Sequence, residues 1–167
     1  MDATADELAG VVDLFGGLSR DELERALSEA AFRADGRSID EGALEEAIDD
    51  GLESFTLLEC TVAEMTTDPR TLDAEDQFYV SGPAAFPEVP EYAEDVPHIL
   101  DIDRRRFDRE ALGETARDRF SDAIDEALNG ARSDERLEYL LEVSYDIEAW
   151  APVELADERG RLEEGLD

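Results

Sequence analysis

The sequence has no lysine, one histidine and one cysteine, and these scarcities narrow the chemistry open to it. The lone Cys60 allows no intrachain disulfide, and in the apolar run FTLLECTV it is expected to be an inert buried thiol. Phosphate-binding loops need a lysine, and Gly16-Gly17 lacks their glycine spacing. No serine lies in the G-x-S-x-G pattern of a hydrolase. The sequence therefore predicts no catalytic residue and no cofactor.

Long apolar runs are also absent from the sequence. None approaches the roughly 18 residues that a membrane-spanning helix needs. The amino-terminal sequence MDATADELAG lacks the basic and apolar regions of a signal peptide. The sequence therefore predicts a cytoplasmic protein that does not insert into a membrane.

Negative charge is the extreme feature of what is present. The chain has 47 acidic and 15 basic residues and a net charge of −32, yet 42% of its residues are hydrophobic, enough for a buried core. The acids are spread along the whole length, which favours adaptation to molar salt, where the Debye length is about 3 Å and carboxylate repulsion is screened. An acidic mimic of nucleic acid is the alternative interpretation.

Two capping boxes open the chain. Thr4 is followed three residues later by Glu7, and Ser19 is followed by Glu22, the spacing that caps the start of a helix. Apolar residues recur at helical spacing behind each cap. The sequence therefore predicts a first helix over residues 5–18 and a second helix that begins at Ser19.

The second predicted helix ends at Gly36, and a third helix follows it. Phe32 is expected to close the second helix against the first. The third helix starts from a cap at either Ser38 or Asp40. Its predicted outward face is wholly acidic and consists of Asp40, Glu41, Glu45, Glu46, Asp49, Asp50 and Glu53.

Two apolar segments after the helices predict a β-hairpin. Residues 55–62 and 77–81 are rich in apolar and β-branched residues, and Asp68-Pro69 marks a turn between them. Three helices followed by a hairpin is an order of elements found in winged-helix domains. Residues 1–81 are therefore interpreted as a winged-helix-like unit.

A proline-rich segment, residues 82–107, follows this unit. It holds four of the six prolines, which predicts an extended connector without helix or strand. Its apolar residues indicate a strap packed on the core rather than a free linker. Phe86, Tyr92, Tyr145 and Trp150 are expected to contribute to such packing, whereas an exposed patch among them would mark an interface.

Residues 108–167 predict a helical extension. A long apolar stripe indicates a helix from 108 to 129, Ser133 caps a shorter helix, and a marginally stable helix covers 153–166. The predicted fold class is α+β and mostly helical, with the extension and the winged-helix-like unit in one compact domain.

The sequence contains the runs GVVDLFGGLSRDELERALSEAAFR, GPAAFPEVPEYAEDVPHILD and VSYDIEAWAPVELA. Together they resemble a small family of haloarchaeal proteins of unknown function, and the resemblance covers nearly the whole chain. It implies a high-salt cytoplasm but no activity, cofactor or catalytic residue. A looser resemblance, limited to residues 5–81, is to winged-helix domains.

The acidic third helix bears on nucleic-acid binding. Helix-turn-helix proteins place the second helix of the motif in the major groove, and arginine and lysine supply much of the affinity by neutralising phosphates. The third helix offers only carboxylates there. Docking of a protein is therefore favoured over reading of DNA.

The basic cluster DIDRRRFDRE is the candidate anion site. Its residues Arg104, Arg105, Arg106 and Arg109 have guanidinium groups whose geometry matches phosphate and carboxylate. This interpretation makes the chain a nucleic-acid-binding regulator or a receptor for an acidic partner. The favoured interpretation is that the arginines pair with neighbouring acids.

His98 is the candidate metal ligand. With Asp95, Asp101 and Asp103 it gives the pattern D-x-x-H-x-x-D-x-D, which combines donors that bind divalent metals. A single histidine among 47 acids has carboxylates nearby by chance, and the spacing matches no established motif. No metal site is predicted.

The sequence thus predicts a non-enzymatic interaction or regulatory module that binds a protein partner or a second copy of itself. The alternatives are a nucleic-acid-binding regulator that uses the arginine cluster and an enzyme of unknown class.

Overall fold

The computed structural model describes residues 4–36, 39–66, 76–89, 93–130 and 133–166. Within these residues, seven α-helices and a two-stranded antiparallel sheet confirm an α+β fold that is mostly helical. The predicted cap Ser38, the turn Asp68-Pro69 and Tyr92 lie outside the described residues. The chain divides into two compact units, Met1–Phe107 and Asp108–Asp167.

Capping boxes begin the first two helices, as predicted. Thr4 caps α1 (Ala5–Phe15) and Ser19 caps α2 (Arg20–Asp35), each through its side-chain oxygen and a glutamate three residues later. The helix α1 is shorter than predicted, because Gly16 adopts a φ of +86° and ends it.

The prediction that Phe32 closes α2 against α1 is wrong. Its side chain is 64% exposed. The buried stripe of α2 ends at Ala31, and the next residue is rotated about 100° around the helix axis, away from that stripe.

The third helix, α3 (Glu41–Glu53), is capped by Asp40, whose side chain accepts from the backbone N–H of Gly42 at 3.1 Å. Leu44 and Ile48 are buried. All seven acids of the predicted outward face are exposed. The inward and outward faces are therefore confirmed.

The predicted hairpin is confirmed. β1 (Leu57–Thr61) pairs antiparallel with β2 (Gln77–Ser81). On the other edge of β2, Leu18 forms a single bridge with Tyr79, through backbone hydrogen bonds of 3.1 and 2.8 Å. The α1–α2 turn thus adds a third, one-residue strand that the sequence does not indicate.

The expectation that the proline-rich segment lacks helix is wrong. Residues 93–95 form a 3₁₀ turn that leads into α4 (Val96–Leu100). Pro97 lies in the first turn of α4, where a missing N–H costs no helical hydrogen bond. Ala93 and Val96 are buried in the same hydrophobic core as α1, α2, α3 and β1.

The second unit consists of α5 (Arg109–Asn129), α6 (Asp134–Trp150) and α7 (Ala156–Leu166), which pack on one another. The helix α6 is longer than predicted, because buried residues such as Val143 and Ile147 continue its apolar stripe. The helix α7 begins three residues later than predicted.

Tyr145 on α6 does not pack into the core, which corrects the expectation for this residue. Its side chain is 57% exposed, and the guanidinium of Arg159 lies 4.5 Å from the centre of its ring. In the parts of the chain that the structure describes, no helix combines the length and the apolar character that a membrane crossing requires.

Candidate functional site

The arginine segment, defined as residues 101–107, lies across the turn between α1 and α2. The backbone N–H of Arg105 donates to the last carbonyl of α1 at 2.7 Å. A Cβ at Gly16 would overlap the carbonyl of Arg105, and one at Gly17 would overlap the ring of Phe107. The two glycines therefore make room for a crossing segment of the same chain.

The side chain of Arg105 contacts three residues of the first unit. Its two terminal nitrogens donate to both carboxylate oxygens of Glu22, at 2.6 and 2.8 Å. Nη1 also donates to the carbonyl of Gly17 at 3.0 Å, and the guanidinium lies 4.8 Å from the centre of the Phe78 ring. The side chains of the Arg105–Glu22 pair are only 12% and 19% exposed, so this is a mostly buried, bidentate ion pair.

Glu22 contacts both the amino-terminal cap of α2 and the arginine segment. It accepts from the backbone N–H of Ser19 at 2.9 Å, within the capping box of α2, and it also binds Arg105. Burial alone would raise the pKa of Glu22, but hydrogen bonds from Arg105 and Ser19 and the positive charge of Arg105 together lower it. Glu22 is therefore held in its ionised form.

Two other arginines of the cluster bind the carboxyl ends of helices. Nη1 of Arg104 donates to the carbonyls of Asp13 and Leu14 in α1, at 2.9 and 3.2 Å. Nη1 of Arg109 donates to the carbonyl of Trp150, the last residue of α6, at 3.1 Å, and its guanidinium lies 4.3 Å from the centre of the indole. The last turns of α1 and α6 contain no basic residue, so these arginines supply the positive charge that a helix carboxyl end favours.

The contacts of Arg104 and Arg105 correct the expectation that they pair with neighbouring acids. The groups that accept hydrogen bonds from their guanidiniums lie 83 to 91 residues earlier in the chain. The cause is the crossing at Gly16-Gly17, which brings helix carbonyls and Glu22 within reach. Arg106 is exposed, and its backbone carbonyl accepts from the N–H of Thr66 at 2.8 Å.

The candidate metal residues lie around the short helix α4. His98 is exposed on the helix, Asp95 is at its amino-terminal cap, and Asp101 is at its carboxyl-terminal cap. Among the described residues, no group of three or more histidine, cysteine, aspartate or glutamate side chains is placed to hold a metal ion.

Cys60 lies in β1 and is buried. Burial raises the pKa of its thiol to about 12, and the negative charges of Glu64 and Glu59 act in the same direction. The thiol is therefore protonated at neutral pH and is a poor nucleophile.

A second notable feature is the exposed strap, defined as residues 86–89, which crosses α1. The backbone N–H of Phe86 donates to the side chain of Asp6 at 3.2 Å, and that of Glu88 donates to the carbonyl of Asp6 at 3.0 Å. A Cβ at Gly10 would overlap the carbonyl of Glu88. Asp6 and Gly10 are one helical turn apart on α1, and both contact the exposed strap.

All four residues of the exposed strap are exposed, although their backbone is held against α1. The side chain of Phe86 is 83% exposed and that of Val89 is 42% exposed. The expectation that Phe86 packs onto the core is therefore wrong. Gly10, a glycine inside a predicted helix, is the sequence signal for a close crossing here.

Comparison with known proteins identifies a family but no activity. Residues 6–167 match a family described as Family of unknown function (DUF7109), and the chain therefore belongs to that family. No curated protein and no solved structure matches the chain.

Proposed function

We propose that this member of the DUF7109 family is a non-enzymatic protein-docking module of winged-helix type. It acts in the cytoplasm of a haloarchaeon, where molar salt screens its carboxylates. The acidic composition supports the high-salt setting, because net charge of this size keeps a chain hydrated and soluble when repulsion is weak.

The bridge between Leu18 and Tyr79 supports the winged-helix type. It inserts a one-residue strand between α1 and α2 and pairs it with β2, the second strand of the hairpin. The order is therefore helix, short strand, helix, helix and hairpin. In such a unit α3 occupies the position of the recognition helix.

The acidic outward face of α3 is the observation that carries the proposal. Seven exposed carboxylates lie there, and the sequence of α3 contains no basic residue. DNA carries about one negative charge per 1.7 Å of its axis, so docking α3 sets like charges against each other. High salt weakens that repulsion without supplying attraction.

The arginine cluster does not reverse this conclusion. Arg104 and Arg105 already use their guanidinium groups on helix carbonyls and on Glu22. A phosphate that recruited Arg105 would have to displace a bidentate carboxylate from a mostly buried site. A protein partner that binds the outward face of α3 would leave the ion pair of Arg105 and Glu22 in place.

Two measurements test this function. Fluorescence anisotropy with a labelled DNA duplex and a labelled single-stranded RNA, from about 0.2 to about 3 M KCl, should show no binding of the folded chain at any salt concentration. An affinity-tagged chain recovered from haloarchaeal cells in molar KCl should retain a protein partner after nuclease treatment. Salt-sensitive binding of the wild-type chain to either nucleic acid, or recovery of the chain without a protein partner, contradicts the proposal.

A further inference from the structure

We infer that the exposed strap is the docking surface, and that it inserts Phe86 into an apolar pocket with a basic rim on a different protein. This inference rests on the proposed protein-docking function and specifies its surface and its partner.

Phe86 has the properties of an interface anchor. Its side chain is 83% exposed, while its backbone N–H is fixed on Asp6. Large aromatic side chains dominate binding energy when a partner buries them. A backbone that is already ordered reduces the entropy that binding must remove. The backbone of Phe86 is therefore already ordered before a partner binds.

Phe86 is not the only apolar residue that this segment exposes. Pro87 and Val89 are exposed on the same four-residue segment. The other exposed phenylalanine, Phe32, instead stands on α2 beside the charged pair Arg33–Glu29. The exposed strap therefore presents three exposed apolar side chains within four residues.

Backbone pairing is not available as the mode of recognition. The N–H groups of Phe86 and Glu88 are both used on Asp6, and Pro87 has no N–H. A segment with this pattern does not extend a β-sheet of another chain, since proline interrupts the hydrogen-bond ladder. Residues 86–88 therefore have no N–H group left to donate to a partner strand, and their exposed side chains are the groups that a partner pocket would recognise.

Charge complementarity predicts basic residues around the edge of that pocket. Glu88 is exposed within the exposed strap, and Asp6, whose side chain accepts from the N–H of Phe86, is half-buried beside it on α1. A second copy of this chain, meeting the first across a two-fold axis, would bring the same carboxylates against one another. A rim of arginine or lysine on a different protein complements them, while burial of Phe86 supplies affinity that salt does not screen.

A photo-cross-link at position 86 tests the inference. Phe86 is replaced by p-benzoylphenylalanine in the full chain, and the cells of a haloarchaeal host are irradiated. The expected product is one adduct with a different protein, whose cross-linked peptide is apolar and has arginine or lysine within its surroundings. The matched control replaces Phe32, the other exposed phenylalanine, and should give no such adduct.

Binding is then measured between the purified full chain and the purified cross-linked protein. Phe86→Ser should weaken the Kd at least about tenfold, whereas Phe32→Ser should change it less than about twofold. Glu88→Arg should also weaken it, by a factor that shrinks as KCl rises. Both phenylalanines are largely exposed, so circular dichroism should show an unchanged fold in each variant.

The outcomes separate the two proposals. An adduct with a second copy only, or no adduct at position 86, overturns the inference. A purified partner whose affinity is unaffected by Phe86→Ser also overturns it but leaves the protein-docking function standing. If the tagged chain is recovered without a protein partner, the proposed function fails as well.

Discussion

Among single residues, Arg105 and Glu22 together connect α2, the α1–α2 turn and β2 of the first unit. Glu22 caps α2, while Arg105 reaches the α1–α2 turn and the ring of Phe78 in β2. Both side chains are mostly buried, so water screens their attraction less than it screens an exposed pair. The exposed pair Arg33–Glu29 on α2, with side chains 40% and 32% exposed, provides the contrast.

The first residue-scale prediction concerns Glu22→Gln. Glutamine keeps the hydrogen-bonding pattern of a capping box, so the substitution removes the charge of the pair and leaves the cap. We expect a loss of about 1–3 kcal/mol in the free energy of unfolding at neutral pH, because a charge-assisted hydrogen bond to Arg105 is lost. Denaturant titration in molar KCl measures it. The matched control Glu29→Gln on the same helix should cost no more than about 0.5 kcal/mol.

The pH dependence of this difference has a defined sign. The pKa of Glu22 is lower in the folded chain than the value of about 4.3 expected for an unfolded glutamate, so the unfolded state binds more protons as pH falls. The advantage of wild type over Glu22→Gln should be complete above about pH 5 and should shrink as pH falls below about 4. An equal difference at both ends of this range would contradict the ionised pair.

Among the elements, α1 is the helix that two later segments of its unit cross. The exposed strap passes over it at Gly10, and the arginine segment passes over its end at Gly16. Arg104 adds hydrogen bonds to two carbonyls of its last turn. The helix α1 is therefore held by contacts with segments that follow it by about 80 to 90 residues.

Alanine substitution at two helical glycines tests the crossing. Gly10→Ala should destabilise the chain by more than about 1 kcal/mol, because its Cβ overlaps the Glu88 carbonyl and forces the exposed strap off α1. Gly160→Ala in α7 should stabilise it by about 0.5–1 kcal/mol, since nothing lies near its Cβ and alanine favours the helix. Thermal unfolding of both variants gives the comparison. A stabilising Gly10→Ala would mean that the strap does not cross there.

The sequence predicts the parts of the fold that local patterns determine, but not the crossings between distant segments. Capping boxes, apolar stripes and the alternating hairpin are local patterns, and they predicted α1, α2, the faces of α3, and both strands. Gly10 inside a predicted helix signals a close approach, but no local pattern identifies the distant segments that cross at Gly10 and at Gly16. The arginine cluster was recognisable as a candidate site, but its partners on α1 and on α2 were not. The exposure of Phe86 likewise follows from the path of the strap rather than from its composition.

At the scale of the whole molecule, we expect net charge to control how the free energy of unfolding depends on salt. The chain carries a net charge of −32, so folding gathers many like charges into a small volume. The Debye length falls from about 10 Å at 0.1 M salt to about 3 Å at 1 M, which removes most of the repulsion between exposed carboxylates. Stability should therefore increase with KCl over this range, and the cause is the total charge rather than any one pair.

Neutralising part of α3 separates charge screening from a general salt effect on apolar burial. The variant carrying Glu45→Gln, Glu46→Gln, Asp49→Asn and Asp50→Asn removes four exposed carboxylates and leaves the buried face of α3 intact. Because self-repulsion scales with the square of the charge, the gain in unfolding free energy between about 0.1 and about 2 M KCl should be smaller than in wild type by about a quarter. Denaturant titration at each KCl concentration measures both gains. Equal gains would show that KCl acts on the apolar core alone, whereas a shallower dependence in the variant would establish that the carboxylates themselves make this chain dependent on salt.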